Sequence, residues 1–422
     1  MLKNWTYRDW MNSYLGFMVM ISVVFPPIFG ASVLPYVILI IWGYRKGELE
    51  FRLHWLSALF ILLYLAYAFG LIIGWKEGQE LTSLEYKLSF LLVPIILAFR
   101  HKVGGFSLEK LASGLLIGVT IVSIYGFFHA VSCYLHEGTR ACFLTVSISP
   151  VHHPSYFMVY MIVALFLAWL GWKREWKFYS LWWIVPFTLL GFVMHILCLS
   201  LAGILFMLLA AMALSIFGLY KKFGRFVALG ALVVLPLMGY LFVTKVPQVE
   251  GEWNNAKWYA EAYLNDPEGF VRDTPYPSSG SEQRLILWTV AWQELKAHPF
   301  GVGTSNLDAA LTARLKNLGQ RELAEKEMNP HNQYLQTGVE LGWPGILLLM
   351  AIIGSSVYLA LKNRSGLLLL LVTSLAFHCL FESMLQRQSG IVFFTFWICI
   401  VAIVAVEERK MHRLEDTKRS ST

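Results

Sequence analysis

Long apolar runs separated by short polar stretches dominate the chain. Most of the runs are close to the ~20 residues that a helix needs to cross a bilayer. An outer-membrane barrel would instead show short strands of alternating polarity. The pattern predicts an all-α integral membrane protein with about twelve transmembrane helices. The predicted spans are 12–29, 31–44, 53–74, 86–99, 111–135, 153–172, 180–198, 199–218, 225–244, 343–361, 366–382 and 389–406.

One polar stretch is far longer than the others and divides the chain. Residues 1–244 carry spans one to nine, 245–342 form a large periplasmic loop, 343–408 carry the last three spans, and 409–422 form a cytoplasmic tail. A connection of this length usually has a function of its own. We therefore expect the catalytic residues in the large loop.

Helical signals recur inside that loop. Ser279 and Glu282 match a capping box ahead of an amphipathic helix over 282–297. Pro299 ends this helix, and a second helix is predicted over 306–318. The loop is thus predicted to be a small helical cap that rests on the bundle.

The end of the loop, residues 329–345, carries the most informative stretch. Asn329 suits a helix N-cap and Pro330 the first helical position, which puts His331 in the first turn. Gly342 is predicted to end this helix and Pro344 to begin the next. A titratable imidazole would then lie beside a helix end that attracts anions.

Composition agrees with a membrane protein, since 57% of residues are hydrophobic and 14% charged, against about a quarter charged in soluble domains. The net charge of +7 does not indicate nucleic-acid binding, because the basic residues lie at the ends of apolar runs. Alternate loops hold 21 Lys and Arg on one side and 4 on the other short loops. By the positive-inside rule, both termini are cytoplasmic in a multi-pass protein of the inner membrane.

The five cysteines fall into two groups. Cys198, Cys379 and Cys399 lie inside apolar runs and are expected to pack as small hydrophobes. Cys133 and Cys142 flank a short loop where a disulfide is possible in an oxidising compartment. Two free thiols are the preferred interpretation.

Two residues are the leading candidates for catalysis. A neutral His331 can take a proton from a hydroxyl, although a lone histidine more often only caps a helix or pairs with a neighbour. Arg284 can bind phosphate oxygens through its planar fork, or it is a solvated surface arginine.

Further polar residues lie at predicted span ends on the outer side. They are Lys87, Arg140, His152, His153, Glu382, Gln386 and Arg387. Each is either a functional group near the membrane or an ordinary ion pair or snorkelling side chain. No metal motif, P-loop or dinucleotide fingerprint is present, so no metal or other cofactor is expected.

Two of these segments carry a family resemblance. The stretch PHNQYLQTGVELGWPG, through His331, Asn332, Glu340, Gly342 and Gly345, is similar to a motif of the O-antigen ligase and O-antigen polymerase family. The run from Arg284 through Trp288 to the Pro299 turn resembles that family's arginine helix. Weaker similarities are Lys87 to Phe90 with Pro94, His153-Pro154, and Phe381 to Gly390.

The resemblance implies transfer of a glycan from undecaprenyl diphosphate, with lipid A–core or another glycan as acceptor and with membrane lipids as surroundings. It implies His331 as the base that deprotonates the acceptor hydroxyl and Arg284 as the clamp on the diphosphate. Substrate-binding residues are expected among Asn332, Lys87, Arg140, His153, Glu382 and Arg387. Neither a metal nor a nucleotide sugar is implied.

One position departs from the family pattern. Many members carry an arginine after a serine where this chain reads Ser200-Leu201, and leucine cannot bind phosphate. Either Lys87, Arg140 or Arg387 supplies the missing charge, or the alignment there is wrong.

Other functions stay open. A polymerase that joins lipid-linked repeats, or transfer of glycan to protein, would need the same donor clamp and base. A lipid-linked glycan flippase or transporter would place polar residues in mid-membrane, whereas the candidates here gather at the outer surface.

Overall fold

The computed structural model describes residues 5–75, 81–102, 104–245, 247–277 and 279–420. It is 79% helical, which confirms the predicted all-α class. The first ten helices are α1 (Tyr7–Val24), α2 (Phe29–Arg45), α3 (Trp55–Ile73), α4 (Thr82–Lys87), α5 (Ser89–Ala98), α6 (Leu108–Glu137), α7 (Pro154–Lys173), α8 (Leu181–Cys198), α9 (Leu201–Phe223) and α10 (Arg225–Lys245). The remaining ones are α11 (Pro247–Asn265), α12 (Pro267–Asp273), α13 (Gly280–Ala297), α14 (Leu307–Asn317), α15 (Arg321–Glu325), α16 (Gln333–Asn363), α17 (Gly366–His378) and α18 (Gln388–Ser420).

Eight helices in the described part of the chain are long and apolar enough to cross a membrane. Two shorter apolar helices, Arg225–Val234 and Gly366–His378, accompany them. The chain is therefore a multi-pass membrane protein. The expectation of about twelve spans stays a prediction.

The most enclosed part of the bundle is formed by α7 and α18. Trp397, Phe394 and Tyr160 are among the largest fully buried side chains. The Tyr160 hydroxyl donates to the carbonyl of Ser389 at 2.9 Å, so the polar end of a buried ring finds a partner. These two helices provide the fixed frame on which the outer loops rest.

The loops that carry most of the basic residues meet at one end of the bundle. Strands β1 (Leu49–Phe51) and β2 (Phe99–His101) pair there as a small antiparallel sheet. Arg100 and Arg174 form ion pairs with Glu407 and Glu408 of α18 at 3.3 and 2.7 Å. The two-stranded sheet is an addition to the predicted all-helical pattern, and it ties two basic loops together.

The long loop folds into five helices, α11 to α15, with a hydrophobic core of their own. Phe270, Leu287, Leu311 and Leu323 are buried in it. The predicted capping box is confirmed, because Ser279 and Glu282 exchange side-chain and backbone hydrogen bonds at the start of α13. The second predicted helix forms as α14.

Helix α16 is broken at Gly342, as predicted. Gly342 has φ +70° and ψ −164°, a conformation that is essentially restricted to glycine. The turn after α13 packs against the break: Trp343 N donates to Pro299 O at 2.9 Å, and Gly303 N donates to Glu340 O at 3.1 Å. This turn satisfies backbone groups that the broken helix leaves unpaired, and it fixes α13 against α16.

The preference for two free thiols at Cys133 and Cys142 was wrong. The structure has a disulfide between them, with the Cα atoms 5.7 Å apart. Helix α6 ends at Gly138, whose φ of +69° reverses the chain, and the next turn returns Cys142 to the helix. A disulfide agrees with an oxidising compartment on this side.

Candidate active site

His331 lies before helix α16 and not in its first turn, which corrects the predicted start of that helix. The N-cap is Asn332, whose side chain accepts from Leu335 N and donates to Leu380 O, both at 3.1 Å. Asn329 Oδ1 instead accepts from His331 N at 2.9 Å, which forms a local turn of the kind asparagine favours. His331 has φ +45°, and the polar groups of the Asn332 side chain are already engaged with the backbone of α16 and of the loop after α17.

Glu382 joins the two leading catalytic candidates. It lies in the loop between α17 and α18. One carboxylate oxygen accepts from His331 Nδ1 at 3.0 Å, and the other accepts from Arg284 at 3.2 Å. The side chain of Glu382 is 11% exposed, that of His331 23%, and that of Arg284 34%. The base and the anion clamp expected from the sequence therefore meet at one carboxylate.

The environment keeps Glu382 ionised. Burial alone would raise its pKa, but the hydrogen bond from His331 and the positive charge of Arg284 act against burial, so the pKa lies below the usual value. An ionised carboxylate accepts both hydrogen bonds. It therefore holds the imidazole and the guanidinium in fixed orientations.

The second nitrogen of His331 is available for chemistry. Because Nδ1 donates to Glu382, a neutral His331 carries its lone pair on Nε2. Within the described residues, Nε2 forms no hydrogen bond. This is the arrangement that a general base requires.

A cavity of about 440 Å³, here called the arginine cavity, opens beside this cluster. Its lining includes His153, Ser200, Arg284, Trp288 and Glu382. Three buried nitrogens in the lining, Arg284 Nε, Trp288 Nε1 and His153 Nδ1, have no partner in the described part of the protein. The arginine and tryptophan nitrogens can only donate, so the cavity suits a ligand that is rich in acceptor oxygens.

His153 contributes a neutral imidazole to the arginine cavity. Burial lowers its pKa, and the nearby charges of Arg387, His331 and Arg284 act in the same direction, against Glu382. His153 thus offers a hydrogen bond rather than a charge.

The rim of the arginine cavity is apolar and exposed. Val146, Leu199 and Leu205 line it and are each roughly half exposed. Leu199 and Leu205 belong to the apolar α8–α9 region. A hydrocarbon chain can therefore reach the polar cluster from the membrane side.

A second cavity of about 620 Å³, the polar cavity, is lined in part by two of the expected site residues, Lys87 and Arg387. Its lining includes Lys87, Asp308, Glu327, Asn329, Glu340 and Arg387. Lys87 is buried, pairs with Glu340 at 3.4 Å, and lies 4.5 Å from the Tyr67 ring centre. Its charge is thus already engaged within the protein.

The residues expected to replace the family arginine at Leu201 do not line the arginine cavity. Lys87 and Arg387 line the polar cavity, and Arg140 is exposed in the turn Arg140–Phe143, outside both linings. Among the described residues of the arginine cavity, Arg284 is the one with a permanent positive charge.

Several residues of these cavities were not predicted as site residues. Trp288 reads as part of the apolar stripe of α13, and Asp308 and Glu327 read as ordinary surface carboxylates. Only the packing of the cap on the bundle brings them into cavities.

The family model described as O-antigen ligase matches residues 186–350. The matched segment, less than half of the chain, is similar to the O-antigen ligase family. The match includes Arg284 and His331, whereas Lys87, His153 and Glu382 lie outside it. A search of curated proteins finds no match. This match supports the activity of a membrane glycan ligase of the ligase or polymerase type. Such an activity implies a lipid-linked glycan and an acceptor as substrates.

Proposed function

We propose that this protein transfers a polysaccharide from undecaprenyl diphosphate to an acceptor hydroxyl, with lipid A–core as the expected acceptor. The reaction takes place at the periplasmic face of the inner membrane. The observation that carries the proposal is the Glu382 carboxylate, which is hydrogen-bonded to both His331 and Arg284. Glu382 and Arg284 line the arginine cavity with its apolar rim, and His331 lies behind Glu382, outside that lining.

His331 is the base in this reaction. Its Nε2 removes the proton of the acceptor hydroxyl while that oxygen bonds to the anomeric carbon of the donor sugar. Glu382 stabilises the imidazolium that forms, as a carboxylate does beside a catalytic histidine. Glu382 thus positions the base and takes no proton itself.

Arg284 acts on the leaving group. The bond between the anomeric carbon and the phosphate oxygen breaks, and undecaprenyl diphosphate leaves with the electron pair. The guanidinium, with hydrogen bonds from Trp288 and His153, stabilises the negative charge that grows on the phosphate. The prenyl chain stays at the apolar rim.

The placement of the candidate groups favours an enzyme over a transporter. The lining of each cavity includes residues of the cap and of the loops at the same end of the bundle as the cap. Transporter sites, in contrast, lie near the bilayer midplane. A base paired with an anion clamp also has no role in moving a substrate unchanged.

Reconstitution tests the proposal. Proteoliposomes receive undecaprenyl-diphosphate-linked glycan and, separately, lipid A–core or no added acceptor. Glycan attached to lipid A–core is the expected product. A ladder of lengthened glycans on the carrier lipid would instead identify a polymerase, and unchanged donor translocated across the bilayer would identify a flippase.

A further inference from the structure

The polar cavity differs in chemistry from the arginine cavity. Its lining carries three carboxylates, Asp308, Glu327 and Glu340, against two cations, Lys87 and Arg387. Because Lys87 is paired with Glu340, the described residues of this lining retain two negative charges, Asp308 and Glu327, and one positive charge, Arg387. A phosphate would meet an unfavourable potential here.

Two hydrogen-bonding side chains of the polar cavity also bear on which ligand it can bind. Gln336 is 1% exposed, and its Oε1 has no partner in the described residues, nor does Ser305 Oγ. Together with the carboxylates of Asp308 and Glu327, Gln336 Oε1 and Ser305 Oγ offer acceptors to a ligand, although the Ser305 hydroxyl, Arg387 and the amides of Gln386 and Gln388 can donate. The unpartnered side-chain atoms of the arginine cavity, by contrast, include two that can only donate.

Two like charges, Asp308 and Glu327, line this cavity. The surrounding protein and the neighbouring Glu327 charge raise the pKa of Asp308, although Lys87 acts against them. A ligand that donates hydrogen bonds to these two carboxylates would reduce their repulsion.

The polar cavity reaches the turn that carries the proposed base, although His331 itself is not among its lining residues. Asn329 lines it, and the same side-chain oxygen that accepts from His331 N accepts from Ser383 Oγ at 3.1 Å. The imidazole ring of His331 is hydrogen-bonded to Glu382, which lines the arginine cavity. The 329–331 turn thus connects the two cavities.

We propose that the polar cavity binds the acceptor end of the glycan and selects a sugar that is uncharged or carries an amine, against one that carries phosphate or carboxylate. Asp308 and Glu327 are the residues that determine this specificity. The inference rests on the proposed glycan transfer and adds the chemical class of the acceptor.

The physical basis is the direction of the hydrogen bonds. Sugar hydroxyls and amines donate, and buried acceptors left unpaired are costly. A phosphate monoester offers acceptor oxygens and negative charge, so it would leave Gln336 unpaired and would be repelled by Asp308 and Glu327. Selection of this kind needs an unfavourable interaction with the wrong ligand as well as a favourable one with the right ligand.

Binding measured without donor tests the inference. The full chain in nanodiscs is titrated with an oligosaccharide of neutral hexoses and with the same oligosaccharide bearing one terminal phosphate. We expect the neutral form to bind on the order of tenfold more tightly. In Asp308→Asn/Glu327→Gln, affinity for the neutral form should fall and this preference should shrink to about twofold or less.

A matched variant controls for the loss of two charges. Glu322→Gln/Glu325→Gln removes two carboxylates from α15 that do not line the polar cavity, and it should keep the wild-type preference. Binding of undecaprenyl diphosphate should be unchanged in both double variants. Equal binding of the neutral and phosphorylated glycans by the wild type, or equal effects of the two double variants, would overturn the inference.

The outcomes separate this inference from the proposed function. If the wild type transfers glycan in proteoliposomes but shows no preference for the neutral ligand, only the specificity proposal fails. If the neutral glycan binds with the expected preference but no transfer occurs with any acceptor, only the proposed reaction fails.

Discussion

At the scale of single residues, one carboxylate determines the geometry of the candidate site. Glu382 holds His331 and Arg284 through its two oxygens at 3.0 and 3.2 Å. Along the chain, His331 lies 51 positions and Arg284 lies 98 positions before Glu382. Their roles can be separated by substitution, because each contributes a different chemical group.

Loss of the base should remove activity without loss of the fold. His331→Ala should lower the transfer rate by roughly 10²–10⁴-fold, the range for a general base. Donor binding should persist, because the arginine cavity is unchanged. The measurement is initial rate in proteoliposomes, with His136→Ala, an exposed histidine at the end of α6, as the control. Wild-type rates in His331→Ala would reject the base assignment.

Replacement of the clamp should act on the donor. Arg284→Lys keeps the charge but loses the planar fork and the Nε donor, so the KM for the lipid-linked donor should rise about tenfold. The acceptor KM should stay near the wild-type value. Arg321→Lys, an exposed arginine in α15, is the matched control. An unchanged donor KM in Arg284→Lys would count against the clamp.

The lowered pKa of Glu382 predicts a pH-dependent contribution to stability. A group whose pKa is depressed in the folded state contributes above its unfolded pKa, and this contribution is lost as the pH falls through the folded pKa. At neutral pH, Glu382→Gln should therefore be less stable than the wild type by roughly 1–3 kcal/mol. The difference should persist down to about pH 4.5, the ordinary value for glutamate, and shrink below it.

Thermal unfolding of purified protein across this pH range measures the difference. Glu325→Gln, at an exposed carboxylate of the cap, is the matched control for the removal of one carboxylate. A constant difference between the wild type and Glu382→Gln down to pH 3 would contradict the assigned shift.

At the scale of elements, the cap contacts the bundle at the break in α16. Gly342 adopts a backbone conformation for which only glycine is suited, and the turn after α13 approaches it closely. An added Cβ would lie 2.2 Å from Pro299 O. The sequence predicts that one helix ends at Gly342 and the next begins at Pro344, and the structure shows the break there.

Gly342→Ala should destabilise the protein by more than the 1–3 kcal/mol typical of backbone strain, because a steric clash is added to it. The control is Gly354→Ala in the same helix, where an added Cβ meets nothing within 4 Å; it should be neutral or slightly stabilising. The unfolding midpoints of the two variants give the comparison. Equal midpoints would show that the turn after α13 does not constrain α16.

Element boundaries show what local patterns can resolve. The helices over 282–297 and 306–318 were predictable because capping residues, apolar spacing and Pro299 all act locally. The start of α16 was misplaced by three residues, since Asn329 and Asn332 both suit an N-cap. Asn329 uses its side chain in a turn with His331, a preference set by contacts with Ser383 and Glu382 from another loop.

At the scale of the whole molecule, the basic loops collect at one end and the candidate site lies among the cap and the opposite loops. The ion pairs of Arg100 and Arg174 with α18 mark the first end, and the disulfide lies among loops that carry few basic residues. The positive-inside rule assigns the first end to the cytoplasm.

Labelling from outside the cell tests this orientation. A membrane-impermeant maleimide should label Glu325→Cys in intact spheroplasts and should label Lys177→Cys only after the membrane is opened. Both positions are exposed, and the native Cys198, Cys379 and Cys399 are buried. The reverse labelling pattern would invert the topology and exclude a periplasmic site.

The sequence by itself determined the membrane class, most helices, the helical cap, and the two segments that carry Arg284 and His331. These features follow from hydrophobic burial and helix capping, which act on neighbouring residues and leave a periodic pattern. Only the tertiary structure decided that Glu382 joins the two candidates, that Lys87 is paired with Glu340, that Cys133 bonds to Cys142, and that the polar residues divide between two cavities. Hydrogen bonds and ion pairs require contact at about 3 Å, and that contact depends on how distant helices pack.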